Sequence, residues 1–223
     1  MVSNFKEQEQ ENKVSLNAVN INLSGAEALG LACFGLAASQ AGLLNLYYLG
    51  KDLTQNINPM SGQAFFLGGF GLATAGIVSF LRNDTFAATA FTSFGLNWMS
   101  RGFTSFIYDI FFIYFGTSKR LPRASNPELG IVSLTWSFYL VILLLARVRA
   151  NLSPFLMLFF LNLNFHFYTV GIWLNSRPLQ ILSAFSGVLA GIVALYNSAS
   201  SLFESDTALF KLSKGPKPFE HKN

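Results

Sequence analysis

The sequence predicts an all-α integral membrane protein, a bundle of six transmembrane helices. Of its 223 residues, 52% are hydrophobic and only 12% are charged, and the mean hydropathy is +0.42. A composition this apolar is typical of a chain whose solvent is the bilayer. The 24 Phe and 18 Gly agree with this, because glycine lets membrane helices approach closely while phenylalanine fills space against lipid or a lumen.

Six windows are long enough to cross about 30 Å of hydrocarbon at about 1.5 Å per residue. Turn and capping residues separate them: Pro59 follows the first window, Asn83 and Asp84 precede the third, and Pro178 opens the sixth. Uninterrupted apolar runs exclude a β-barrel, whose strands alternate between lumen and lipid. The six predicted spans are 26–49, 61–81, 86–111, 129–146, 152–174 and 179–202.

The two ends of the chain differ from this apolar domain, which we place at residues 25–205. Residues 1–24 form a polar tail, and residues 206–223 form a second, basic and solvated tail. With six spans, nine Lys and Arg residues fall on the side of both termini and five on the other side. The positive-inside rule then predicts that both termini are cytosolic, and we expect the plasma membrane to hold the protein.

Several classes of protein are disfavoured. No basic cluster is interleaved with aromatic residues, so we expect no nucleic-acid partner. Two His and one Cys are scattered without ligand spacing, so we expect no metal. No nucleophile, base and metal converge, so we expect neither an enzyme nor a cofactor.

Ionisable residues inside a membrane span are functional candidates, because burying a charge in lipid is costly. Glu27 opens the first span, and Arg101 lies within the third. Arg101, with Asn97 one turn before it, would attract an anion. The alternative is structural: Arg101 reaches the interface or pairs with an acid such as Asp109.

His166 is the third candidate for a charge or proton role, in the middle of the fifth span. It shares a helical face with Asn162 and Thr169, whereas Asn164 lies on another face with Leu161. Only one of these faces can line a path. A proton relay and a buried neutral histidine bonded to a neighbouring helix are both compatible with the sequence.

The stretch FLRNDTFAATAFTSFGLNWMS, residues 80–100, resembles the signature of the acetate uptake transporter family, also called succinate-acetate permeases. ALGLACFGL, residues 28–36, resembles the end of that family's N-P-x-P-L-G-L motif, and the resemblance covers about the whole membrane domain. The signature positions that match are Thr85, Phe86, Thr89, Ala90, Phe91, Thr92, Ser93, Gly95 and Trp98.

The resemblance implies six helices per subunit, a homohexamer, a separate pore in each subunit, and passage of acetate-like anions with or without protons. Phe34, Phe94 and Leu161 fall on the family's hydrophobic constriction. Such a ring would dewet the pore and exclude hydrated ions, yet admit a methyl-bearing carboxylate. The implied substrate path adds Leu29, Gly30, Thr92, Ser93, Asn97 and Asn164.

The sequence also departs from the family pattern. Gly25, Ala26, Glu27 and Ala28 replace N-P-x-P, and a carboxylate at a helix N-terminus competes with a carboxylate substrate. Phe94 stands where a tyrosine is usual. Two hypotheses follow: transport of short monocarboxylates, channel-like or proton-coupled, or a divergent non-transporting member that acts as a membrane sensor or scaffold.

Overall fold

A computed structural model describes residues 25–49, 59–115, 127–203 and 208–217; the predicted tail of residues 1–24 lies outside this part. Six helices fill the described part of the chain, and each coincides with a predicted span. They are α1 (Ala26–Tyr48), α2 (Met60–Leu81), α3 (Thr85–Phe115), α4 (Pro127–Ala146), α5 (Leu152–Trp173) and α6 (Arg177–Leu202). The predicted six-helix fold is therefore confirmed.

The surface of the bundle is apolar, the reverse of a water-soluble protein. Phe66, Phe70 and Ile142 are each more than 60% exposed, whereas several serines are buried. Five of the described helices are long and apolar enough to cross a membrane. The remaining helix, α3, is the longest at 31 residues, but Asn97 and Arg101 lower its hydropathy. Exposed apolar area on this scale needs a lipid or protein partner.

Local chemistry explains where two of the helices begin. Asp84 accepts a hydrogen bond from the Ala87 amide at 2.9 Å, so it caps α3 as its sequence predicted. Asn83, just before it, adopts the left-handed conformation with φ of 58°, which lets the chain reverse after α2. Pro178 lies in the first turn of α6, where its missing amide hydrogen costs nothing.

The helix α2 contains a π-helical stretch that the sequence did not predict, over Gln63–Gly71. Gly68 and Gly69 lie within it, and an added Cβ at Gly68 would come within 3.0 Å of Ala37 in α1 and of Trp98 in α3. The stretch therefore packs α2 closely against both neighbours.

The helices α1 and α6 approach each other most closely at glycines. A Cβ at Gly42 would lie 2.6 Å from Val188 Cγ2 and 2.9 Å from the carbonyl oxygen of Ala184. Gly35, two helical turns before Gly42, meets α6 in the same way: its added Cβ would lie 2.9 Å from the carbonyl oxygen of Gly191. Backbone atoms cannot move aside, so these positions require glycine.

A single buried cluster joins all six helices at the centre of the bundle. It contains two or three residues from most helices and one from α2. Its members are Cys33, Phe34, Ala38, Leu72, Ala90, Phe94, Leu140, Leu143, Leu158, Leu161, Ala190 and Ala194.

The C-terminal segment 208–217 contacts the bundle through its backbone, although most of its side chains are exposed. Carbonyl oxygens of Pro216 and Lys214 accept hydrogen bonds from the amides of Leu152 and Ser153, at 2.8 and 3.1 Å. These are free N–H groups of the first turn of α5, whose N-cap residue provides no side-chain cap. We call this end of the bundle, where α1, α3 and α5 begin, the tail end, and the opposite end the open end.

We predict that Gly42→Ala destabilises the protein by roughly 1–3 kcal/mol, because its methyl group would meet the α6 backbone. Gly62→Ala is the matched control: Gly62 is also helical, yet nothing lies within 4 Å of its added Cβ. Thermal unfolding of the purified protein in detergent measures both. Equal melting temperatures for the two variants would contradict the proposed close contact.

Candidate functional site

A cavity of about 60 Å³ lies among α1, α3, α5 and α6 and is partly open to its surroundings. Along α1, α3 and α5 the lining residues recur at helical spacing, so each of these helices presents one face to the cavity, and α6 contributes one residue. From α1 they are Phe34, Ala38, Ala41, Gly42 and Asn45; from α3, Phe94, Asn97, Trp98 and Arg101; from α5, Leu161, Asn164 and Phe165; and from α6, Gly187.

The three residues expected at a constriction lie together at the tail-end limit of this cavity. Phe34, Phe94 and Leu161 are each only 5–6% exposed, and the two rings are 6.1 Å apart between centroids. Each residue follows the first residue of its helix by eight or nine positions. They therefore share one level, about 12–14 Å from the helix starts at 1.5 Å per residue.

Aromatic side chains of α4 hold Phe94 in place. Its ring centroid lies 5.1 Å from that of Trp136 and 6.2 Å from that of Tyr139. The hydroxyls of Ser93 and Tyr139 are hydrogen-bonded at 2.9 Å. Ser93 is absent from the cavity wall, so the structure places this expected path residue behind the constriction, where it positions Tyr139.

Three amides, those of Asn45, Asn97 and Asn164, lie in the cavity wall. Asn164 donates its Nδ2 hydrogens to the carbonyl oxygen and the hydroxyl of Ser183, at 2.7 and 3.1 Å, and lies against Gly187. Asn97, half-buried one turn beyond Phe94, makes no side-chain hydrogen bond with any residue of the described ranges. The Asn97 amide is therefore available to a molecule in the cavity.

Arg101 brings a positive charge to the cavity towards its open end. The guanidinium lies 5.7 Å from the centroid of the Trp98 ring and is exposed. Within the described part of the chain Arg101 forms no ion pair, and Asp109 instead accepts a hydrogen bond from Ser61 at 2.7 Å. The alternative pairing of Arg101 with Asp109 is therefore not what the structure shows.

Three further expected path residues, besides Ser93, lie outside the cavity wall. The Thr92 hydroxyl is buried against Gly76 of α2 without a hydrogen-bond partner among the described residues, because the α3 face it occupies packs on α2. Leu29 is 47% exposed on the outer surface of α1. Gly30 packs against the ring of Phe91, below the constriction on the tail side.

His166 is also placed away from the cavity. Its side chain is exposed, and Nδ1 lies 2.9 Å from the carbonyl oxygen of Asn162 in its own helix. The face of α5 that lines the cavity is the one with Leu161 and Asn164. Within the described part of the chain, His166 therefore neither faces this cavity, as a proton relay would, nor bonds to a neighbouring helix.

Glu27 lies at the tail end, on the same face of α1 as Phe34 and Asn45. Its carboxylate is 3.8 Å from Nζ of Lys214 in the C-terminal segment. Sequence reasoning missed Lys214 and Asn45. The spacing of eleven residues from Phe34, three helical turns, was a usable signal for Asn45, whereas nothing in the sequence pairs Lys214 with Glu27.

Apolar helices packed around a cavity with an apolar floor and polar walls define a multi-pass integral membrane protein with an internal cavity. The chain belongs to the GPR1/FUN34/yaaH family, whose model matches residues 9–218. This confirms the resemblance found in the sequence.

Relatives of this chain occur in fungi and bacteria. "Ammonia transport outward protein 3" of Saccharomyces cerevisiae is 28% identical over 76% of this chain and 59% of its own length. "Acetate permease A" of Emericella nidulans is 26% identical over 82% of this chain and 62% of its own length. The chain thus spans about 60% of the length of these fungal relatives. "Succinate-acetate/proton symporter SatP" of Escherichia coli K12 is 24% identical over 79% of this chain and 87% of its own length.

A solved structure, that of the bacterial acetate channel SatP, has the same fold. The TM-score is 0.66 at 21% identity, over 85% of this chain and 98% of the other. At this identity the likeness establishes the arrangement of the helices alone.

We predict that Asn97→Cys reacts at least about tenfold faster than Thr92→Cys with a small water-soluble methanethiosulfonate, because thiol reactivity follows access to water. Both variants carry Cys33→Ala, which removes the single cysteine of the chain. Mass spectrometry of the purified protein over time gives the two rates. Comparable rates would mean that the cavity is not wetted along the Asn97 face.

Proposed function

We propose that the protein carries short monocarboxylates such as acetate across a membrane, through the cavity within each subunit. One observation carries this proposal: a single cavity combines an unpaired cation, three wall amides and an apolar floor. The cation is Arg101, the amides are Asn45, Asn97 and Asn164, and the floor is the group of Phe34, Phe94 and Leu161.

Each of these parts has a role that fits an organic anion. The charge of Arg101 raises the local concentration of anions in a cleft with low-dielectric walls. The free Asn97 amide offers hydrogen bonds that replace part of the hydration shell, whereas the Nδ2 hydrogens of Asn164 are already donated to Ser183. The apolar floor dewets and so excludes hydrated inorganic ions, while a methyl-bearing carboxylate retains favourable contact with the rings.

The relatives support this substrate class, since their names include an acetate permease and a succinate-acetate/proton symporter. Others are named for ammonia transport. Arg101 favours the carboxylates, because a positive charge in the cavity attracts a carboxylate and repels ammonium.

Orientation, membrane and assembly complete the proposal. The distribution of Lys and Arg assigns the tail end to the cytosol and the open end to the outside of the plasma membrane. A homohexamer with one pore per subunit and optional coupling to protons follow from the family resemblance. We assign no enzymatic step to the chain.

Uptake of labelled acetate into proteoliposomes, with and without an inward proton gradient, tests the function. We expect saturable acetate uptake, and we expect Phe94→Ala to admit lactate relative to acetate at least about threefold better, because it widens an apolar constriction. Phe66→Ala, at an exposed ring of α2, is the control and keeps the wild-type ratio.

Uptake of ammonium but not of acetate would show that the protein transports ammonia or ammonium and would reject the proposed carboxylate substrates. No uptake of acetate, lactate, succinate or ammonium above empty liposomes would reject transport and favour the sensor or scaffold hypothesis.

Arg101→Gln tests the electrostatic part. We expect initial acetate uptake to fall about three- to tenfold at low ionic strength, because steering by a charged cleft is lost. The difference shrinks at about 0.15 M salt, where the Debye length is only about 8 Å. Arg149→Gln, an exposed residue beyond α4, makes the same change in net charge and leaves uptake unchanged. A salt-independent defect would assign Arg101 a packing role instead.

A further inference from the structure

Asn197 of α6 is the most unusual buried side chain in the described part of the chain. It is 1% exposed, and neither Oδ1 nor Nδ2 has a hydrogen-bond partner among the described residues. A buried amide left without partners is costly, because its donor and acceptor have both lost their hydrogen bonds to water, so Asn197 calls for an explanation. An apolar residue of the same size would avoid this cost.

The register of α6 places Asn197 on the face of the helix that also carries the cavity-lining Gly187. Ser183, Gly187, Ala190, Ala194 and Asn197 are separated by four, three, four and three residues, so they form one stripe along the helix. Gly187 lines the cavity, and Ala190 and Ala194 belong to the same buried cluster as the constriction. Asn197 continues this stripe. The face of α6 that packs on α1 is a different one, marked by Gly191 and Val188.

The position of Asn197 along the axis of the bundle follows from a hydrogen bond of the next residue, Ser198. Ser198 donates a hydrogen bond to the carbonyl oxygen of Ala28 at 2.8 Å, which aligns this turn of α6 with the first turn of α1. Phe34 lies six residues further along α1, or about 9 Å along the axis. Asn197 is therefore on the tail side of the constriction, whereas Asn97, Asn164 and Arg101 are on the open side.

The chemistry of a free primary amide matches a carboxyl group. Its Nδ2 donates to a carboxylate oxygen, and its Oδ1 accepts from the hydroxyl of a protonated acid. Asn164 lacks this combination, because its Nδ2 hydrogens are already donated to Ser183. A solute that leaves an apolar ring needs polar partners on the far side as much as on the near side.

We propose that Asn197 binds the carboxyl group of the carried solute on the tail side of the constriction, as the counterpart of Asn97 on the open side. This inference rests on the proposed function. The path would then have a polar side chain on each side of the apolar constriction, Asn97 on the open side and Asn197 on the tail side.

Asn197→Leu tests the assignment in the full chain in proteoliposomes. We expect initial acetate uptake to fall at least about tenfold, since the solute loses its partners on one side of the ring. We expect the melting temperature to stay the same or rise, because an unpartnered amide is replaced by an apolar group of similar size. A purely structural asparagine would lower it. Acetate should raise the melting temperature of the wild type but not of Asn197→Leu.

Ser137→Ala is the matched control. Ser137 is also 1% exposed, but it donates to the carbonyl oxygen of Ser133 in its own helix, outside the cavity wall. We expect this variant to keep both uptake and the stabilisation by acetate. Wild-type uptake and an unchanged acetate effect in Asn197→Leu would overturn the inference and leave an ordered water as the partner of Asn197. A wild type that neither takes up carboxylates nor is stabilised by acetate would overturn the proposed function as well.

Discussion

The close contact between α1 and α6 is the constraint on which the site depends. Glycines at positions 35, 42 and 191 bring the two backbones together, and this fixes the rotation of both helices about their axes. With that rotation set, the stripe of Phe34 on α1 and the stripe of Gly187 on α6 both turn inward. Two bulkier helices would leave a wider and less defined space, because side chains would then separate the backbones.

The polarity of the cavity changes along its length in a way that fits a solute with one charged and one apolar end. Its open end carries a cation, its wall carries amides, and its floor is closed by rings and a leucine. Stripping water from a carboxylate is expensive in a low-dielectric site unless hydrogen bonds replace it. Because the constriction of Phe34, Phe94 and Leu161 occupies a single level of the bundle, a carboxylate would lose its polar partners over a short distance only. The aromatic support from α4 keeps the ring narrow, because Trp136 and Tyr139 restrict the movement of Phe94.

The sequence predicted the six helices and their approximate bounds, because spans of apolar residues and caps such as Asp84 are local signals. It also placed Phe34, Phe94 and Leu161 together, through the family pattern. It did not predict which face of a helix meets the cavity: Thr92 and His166 are polar but point elsewhere. Such rotations are set by contacts between distant helices, as are the π-helical stretch of α2 and the docking of segment 208–217.

The docked C-terminal segment bears on the loss of the family's N-P-x-P motif. Glu27 alone would place a negative charge on the α1 face that leads to Phe34, where it repels an anion. Lys214 lies 3.8 Å from that carboxylate and offsets its charge. A partly exposed pair of this kind adds little to stability, so its main effect is on the local potential. The pairing therefore leaves a neutral ion pair, and not a lone carboxylate, at the start of α1. It removes the electrostatic argument that the changed motif alone raised against an anion path.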